Sequence, residues 1–125
     1  MINLRIILFF LGILITSLGV AMVVPLIVEI KSTNVNTENF LICLLFSLFF
    51  GVTLILGFKD KEKKINVKDT ILITILSWPI MVMFSSLPFY LDENIEYYID
   101  AFFEATSGLT TTGATIYNNI ENLST

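Results

Sequence analysis

Charged side chains are scarce in this sequence. They make up 14% of the 125 residues, whereas soluble domains carry about 25%. Histidine is absent and cysteine occurs once, which excludes a disulfide scaffold and a metal site built from several Cys and His ligands. The net charge of −4 disfavours binding to nucleic acid. With 55% hydrophobic residues, the composition instead indicates an integral membrane protein.

Enzymatic motifs are missing as well. The sequence has no histidine to act as a general base, no recognisable pair of nucleophile and base, and no glycine-rich phosphate loop. We therefore expect neither an enzyme nor a bound cofactor.

Three long apolar runs lie between the few charges. About 20 apolar residues cross the hydrocarbon layer as a helix, so we predict transmembrane helices at about residues 6–30, 40–58 and 70–91. The first run is longer than the apolar core of a signal peptide, about 7–15 residues, which favours a membrane span over a cleaved leader.

The basic residues predict the orientation of these spans. Five lysines lie in the linker 59–69 and Arg5 precedes the first span, whereas no Lys or Arg follows Lys68. Because basic loops stay in the cytoplasm, we predict a cytoplasmic N-terminus and linker in a multi-pass membrane protein. The predicted organisation is two N-terminal spans (1–58), the basic linker (59–69), and a unit (70–125) with a third span and an external segment.

Small residues and prolines interrupt the spans. Gly12, Thr16 and Gly19 share one helical face, which is either a seam for close helix packing or a chance feature of a long apolar helix. Pro25 and Pro79 each lack a backbone donor and predict kinks.

A short helix is predicted after the third span, at about residues 100–109, with Asp100 as its N-cap. Such a helix is too short to cross a membrane, so it lies on the surface or dips in and returns. Three consecutive threonines then disfavour helix, and the chain is expected to become extended near Leu109.

The extended segment offers hard oxygen ligands. Its backbone carbonyls and threonine hydroxyls suit a monovalent cation that has shed its water, and Gly113 permits backbone angles that other residues resist. The residues alone leave two alternatives open, a loop that lines an ion path and an ordinary external loop.

Residues 100–115, DAFFEATSGLTTTGAT, resemble the first pore helix and selectivity filter of the Trk/Ktr family of potassium-uptake transporters, of the TrkH type. The resemblance implies an all-α membrane fold: two extra helices, then an outer helix, a re-entrant pore helix and an extended filter loop. That arrangement is the incomplete first of four pore repeats. We therefore expect a truncated product or fragment that does not conduct alone.

The resemblance also implies roles for individual residues. Gly113 is the filter glycine, and carbonyls of the filter replace the hydration shell of potassium, which is the transported substrate. The predicted filter residues are Thr110, Thr111, Thr112, Gly113, Ala114 and Thr115. The implied partners are the lipid bilayer, the remaining repeats, a second membrane subunit and a cytoplasmic nucleotide-binding regulatory subunit.

The acidic residues near the loop are assigned supporting roles. Glu104 braces the loop through backbone donors, faces the outer vestibule, or is a solvated charge on the helix. Asp100 supports the pore helix from its start. A predicted acidic vestibule consists of Asp92, Glu93 and Glu96, and Asp100 adjoins it. These charges are expected to concentrate cations at the outer mouth.

Two other classes remain open. The chain is alternatively a small membrane protein that binds or regulates a partner without conducting ions. Self-assembly into a four-copy minimal pore is disfavoured, because the helix that would line the inner path is missing from the sequence.

Overall fold

The computed structural model describes residues 2–32, 37–59, 64–91 and 95–116. Those residues are helical or irregular, with no strand among them. The helices are α1 (Leu4–Ala21), α2 (Val23–Ser32), α3 (Thr37–Phe58), α4 (Val67–Ser85), α5 (Leu87–Tyr90) and α6 (Tyr98–Leu109). The predicted vestibule residues Asp92 and Glu93, and the tail beyond residue 116, lie outside these ranges.

Three helical stretches are long and apolar enough to cross a membrane, as the sequence predicts. They run over Leu4–Lys31, Thr37–Phe58 and Val67–Tyr90. Each begins two or three residues before the apolar run, because a helix continues through flanking polar residues that a hydropathy argument leaves out. The multi-pass membrane class is therefore confirmed.

Prolines mark the breaks within two of these stretches. At Met22, between α1 and α2, the chain leaves the regular helix, three residues before Pro25, which has no amide hydrogen to donate to the carbonyl of Ala21. A second break, at Ser86, separates α4 from α5, where Pro88 lies in the first turn. By contrast, α4 continues through Pro79 as one helix.

Close packing of α1 on α3 forms the centre of the molecule. A side chain added at Gly51 would place its Cβ 2.2 Å from the hydroxyl oxygen of Thr16, and one added at Gly12 would place it 2.8 Å from Cβ of Leu54. These separations are far below van der Waals contact, so glycine is required at both positions. The packing interpretation of the small residues of α1 is therefore confirmed, and the sequence did not single out Gly51 as its counterpart.

A buried carboxylate joins the starts of α1 and α4. Asp69 is fully buried and accepts hydrogen bonds from the backbone amides of Asn3 (2.9 Å) and Asn66 (3.2 Å). Both helices therefore begin at the same end of the molecule. A negative charge there also complements the partial positive charge of two helix N-termini.

A group of hydroxyls fixes the position of α6. The hydroxyls of Ser86 and Tyr98 lie 2.9 Å apart, and both are close to the carbonyl oxygen of Met83, at 2.8 and 3.3 Å. The ring of Tyr98 also packs edge-on against Tyr90, with centroids 5.4 Å apart. The first turn of α6 is thereby tied to the last turn of α4.

Asp100 is not the N-cap of α6, which corrects the sequence prediction. The helix begins at Tyr98 with Tyr97 as N-cap, and the carbonyl of Tyr97 accepts from the amides of Asp100 (3.1 Å) and Ala101 (3.4 Å). With the tertiary contacts of Tyr98, the helix starts three residues earlier than it would with a side-chain cap at Asp100. Asp100 instead lies in the first turn, where its charge still complements the helix dipole.

Candidate functional site

The end of α6 begins the candidate site. The helix stops at Leu109, as the threonine run predicts. Beyond it, the amide of Thr111 donates to the carbonyl of Gly108 (3.3 Å), and the amide of Thr112 donates to the carbonyl of Ser107 (3.0 Å). This pair of bonds is a Schellman motif, which satisfies carbonyls that a helix end leaves without partners.

The residue that turns the chain in this motif is Thr111. Its φ of 55° lies in the left-handed region, where the motif usually has glycine. For an L-residue the left-handed conformation costs about 1–2 kcal/mol, and β-branching makes it rarer still. The sequence carries no signal for this conformation, because the glycine that would announce it is absent from position 111.

Gly113 has the second left-handed conformation, with φ of 74°. A Cβ at this position would meet nothing within 4 Å, so the backbone angle and not the available space requires glycine. The predicted special backbone geometry of Gly113 is therefore confirmed.

The loop of residues 110–115, which we call the Thr/Gly loop, presents alternate residues to two sides. Thr111, Gly113 and Thr115 line an open groove of about 370 Å³, which Glu104 and Gly108 also border. Thr110 and Thr112 line a smaller groove of about 140 Å³ on the other side. Ala114 borders both grooves. Successive residues of the loop thus alternate between two faces.

Glu104 holds the far end of the loop. Its carboxylate oxygen Oε1 accepts hydrogen bonds from the hydroxyl of Thr115 (2.7 Å) and from the backbone amide of Ile116. The carboxylate therefore occupies the position that the bracing interpretation requires. Its role in transport stays a prediction.

Ser107 makes a second contact from α6 to the loop. Its hydroxyl donates a 2.6 Å hydrogen bond to the carbonyl of Ala114, and the residue is 5% exposed. Sequence reasoning missed this residue, since a serine in a helix gives no indication of which distant carbonyl it meets. The hydroxyls of Thr110 and Thr112 also meet, 2.8 Å apart.

Two other predicted acidic residues that the structure describes are Asp100 and Glu96. Asp100 is half-buried and lies one helical turn before Glu104, near the opposite end of α6, while Glu96 is exposed just before that helix. The structure thus brings Glu104 to the loop but leaves Asp100 and Glu96 nearer the start of α6.

The atoms that the loop offers as ion ligands are neutral oxygens. Carbonyls and hydroxyls dominate, and the described residues contain no group of three or more His, Cys, Asp or Glu side chains able to hold a metal ion. Neutral oxygens in a row suit a weakly bound monovalent ion better than a tightly held divalent one. One such loop covers one side of an ion only.

Curated proteins similar to this chain are transporters. A Trk system potassium uptake protein TrkH of Halomonas elongata is 33% identical over 122 residues, 97% of this chain and 25% of that protein. An uncharacterized cation transporter of Methanocaldococcus jannaschii is 36% identical over 94% of this chain and 24% of its own length. The TrkG protein of Escherichia coli is 28% identical over 90% of this chain and 23% of its own.

No protein-family model matches the chain. The chain spans about a quarter of the length of the curated relatives it matches. Those relatives are named as transporters and not as enzymes, which agrees with the class expected from the missing catalytic motifs. Similarity over nearly the whole chain identifies it as a Trk-family sequence, in keeping with an N-terminal part of a Trk-type potassium uptake subunit.

Proposed function

We propose that this chain contributes the first quarter of a potassium uptake path, with α6 as a re-entrant pore helix and the Thr/Gly loop as one wall of the ion filter. The single observation that carries the proposal is the shape of that loop. It turns through two left-handed residues, Thr111 and Gly113, and hydrogen bonds hold both of its ends to a short helix.

The length of α6 supports a dip into the membrane. Twelve residues of helix cover about 18 Å, well short of the roughly 30 Å hydrocarbon layer. Tyr98 and Ser86 tie the start of α6 to the end of α4, so the proposed dip begins beside a membrane-spanning helix. Non-helical backbone at that depth is tolerated where it is covered by protein or lines a water-filled path.

In the proposed mechanism, carbonyls of residues 111–113, with the hydroxyl of Thr111, replace part of the hydration shell of potassium, while the carbonyl of Ala114 is held by Ser107. The remaining three walls come from further repeats. Entry is driven by the membrane potential, worth about 2.3 kcal/mol per charge per 100 mV. A second membrane subunit and a cytoplasmic nucleotide-binding regulatory subunit complete the proposed assembly in the inner membrane of a bacterium.

The proposed orientation places the N-terminus and the basic linker in the cytoplasm. Lys59, Lys64 and Lys68 then lie at the inner face, and Glu96 and Asp100 at the outer face. The acidic side is therefore the side from which potassium enters.

The test is potassium-dependent growth of a bacterium that lacks its own potassium uptake and expresses the full reading frame that contains this chain. Gly113→Ala is expected to abolish growth at low potassium, because alanine is strained at the φ of 74°. The matched control is Gly57→Ala, since Gly57 lies in helix α3 with open space around its Cβ position. Equal growth of the two variants, or no growth of the unmodified protein, would refute the proposal.

A further inference from the structure

Ser107 connects the helix to the loop at a point where the loop is weakly restrained. The residue before Ala114 is Gly113, and the peptide planes that flank a glycine rotate at little steric cost. The carbonyl of Ala114 belongs to the peptide plane between Ala114 and Thr115, which directly follows the two planes that flank Gly113. Its 2.6 Å bond to the buried hydroxyl of Ser107 fixes the direction of that plane.

Two threonine hydroxyls near the end of α6 behave differently. Thr106 donates to the carbonyl of Phe102 (2.7 Å) and Thr110 donates to the carbonyl of Thr106 (2.7 Å), as hydroxyls in helices commonly do. The hydroxyl of Ser107 instead leaves its own helix and reaches seven residues along the chain.

Ser107 also acts beside Glu104. The two residues are three apart, so they lie on one face of α6. Glu104 accepts hydrogen bonds from the hydroxyl of Thr115 and the amide of Ile116. Ser107 donates to the carbonyl of Ala114, the residue between Gly113 and Thr115.

From this geometry we infer that Ser107 is a positioning residue for cation discrimination. By fixing the Ala114 peptide it limits rotation of the planes around Gly113, so that the spacing of the loop oxygens is set before an ion arrives. Without the hydroxyl those oxygens adapt to ions of either size, and sodium gains relative to potassium. The inference rests on the proposed transport function.

The experiment compares initial rates of potassium and sodium uptake in cells that express the full reading frame, with membrane abundance measured by immunoblot. Ser107→Ala is expected to lower the ratio of potassium to sodium uptake by about two- to tenfold, the range for loss of one ordinary hydrogen bond. Ser107→Thr keeps the hydroxyl and is expected to restore the ratio. Thr106→Val, which removes a hydroxyl bonded within the helix, is the matched control and should leave the ratio unchanged.

The outcomes separate the two proposals. An unchanged ratio in Ser107→Ala, at any abundance, overturns the positioning role while leaving transport in place. Absence of cation uptake by the unmodified protein removes the proposed function and the inference with it. If Ser107→Ala does not reach the membrane, Ser107→Cys, which keeps the size but donates weakly, takes its place with the same expected fall.

Discussion

The backbone amide of Asn3 donates a 2.9 Å hydrogen bond to the carboxylate of Asp69, which lies 66 residues further along the chain. This bond joins the first turn of the first span to the first turn of the third. Because the carboxylate is buried and holds amides from both helix starts, it determines how α1 and α4 are aligned.

Asp69→Asn should destabilise the protein. The amide side chain removes the negative charge and brings a donor against backbone donors, at a cost of about 1–3 kcal/mol. The measurement is the thermal unfolding midpoint of the detergent-purified protein. Glu38→Gln is the control, since Glu38 is an exposed acid in the first turn of α3. A midpoint for Asp69→Asn equal to that of the control contradicts the prediction.

Gly51→Ala should also destabilise the protein, by about 1–3 kcal/mol. The added Cβ would lie 2.7 Å from the backbone nitrogen of Thr16, so α1 and α3 must separate to accept it. Gly57→Ala, six residues along the same helix, meets no atom within 4 Å and should have little effect. The same unfolding assay compares the two, and equal midpoints would show that the helices are not packed at Gly51.

Thr111→Gly is expected to leave the protein as stable or more stable, because glycine adopts the left-handed conformation without steric cost. Thr112→Gly, in the neighbouring position without a positive φ, should lower stability through the added freedom of the unfolded chain. Limited proteolysis of the two purified variants checks this order. Faster cleavage of Thr111→Gly than of Thr112→Gly would argue against the Schellman geometry.

Glu104→Gln and Glu104→Ala should differ in potassium uptake. Glutamine keeps an oxygen that can accept from Thr115 and Ile116, whereas alanine leaves both donors without this partner. Uptake rates at equal membrane abundance should therefore fall moderately for glutamine and about tenfold or more for alanine. Equal loss in both variants would show that the charge of Glu104, and not its bracing bonds, is required.

Neutralising the acidic vestibule should reduce potassium uptake at low ionic strength only. The four-residue variant replaces Asp92, Glu93, Glu96 and Asp100 by their amides. Exposed charges raise the local cation concentration over about a Debye length, which falls from about 30 Å at 0.01 M salt to about 10 Å at 0.1 M. Uptake that is unaffected at low salt would remove the steering role.

Local features of the chain were predictable from the sequence. The three spans follow from apolar length, the end of α6 at Leu109 follows from the threonine run, and the unusual angle of Gly113 follows from glycine itself. Each of these depends on residues that are close together in the chain.

Features that join distant segments were not predictable. Nothing in the sequence distinguishes Gly51 from the other five glycines, because its role depends on its contact with Thr16. Asp69 likewise resembles any acid of the linker, because its role depends on its bond to Asn3. The start of α6 was misplaced for the same reason. Its position depends on Tyr98 meeting Ser86, and a side-chain cap at Asp100 was the only signal within the local sequence.

The hydrogen bonds described above for the Thr/Gly loop come from α6 and from the residues directly after it. The Schellman bonds, the Ser107 bond and the Glu104 bonds span from three to twelve residues. Contacts of such short sequence separation form early, because little chain entropy is lost in closing them. During synthesis, these bonds can therefore form as soon as residues 98–116 have been made.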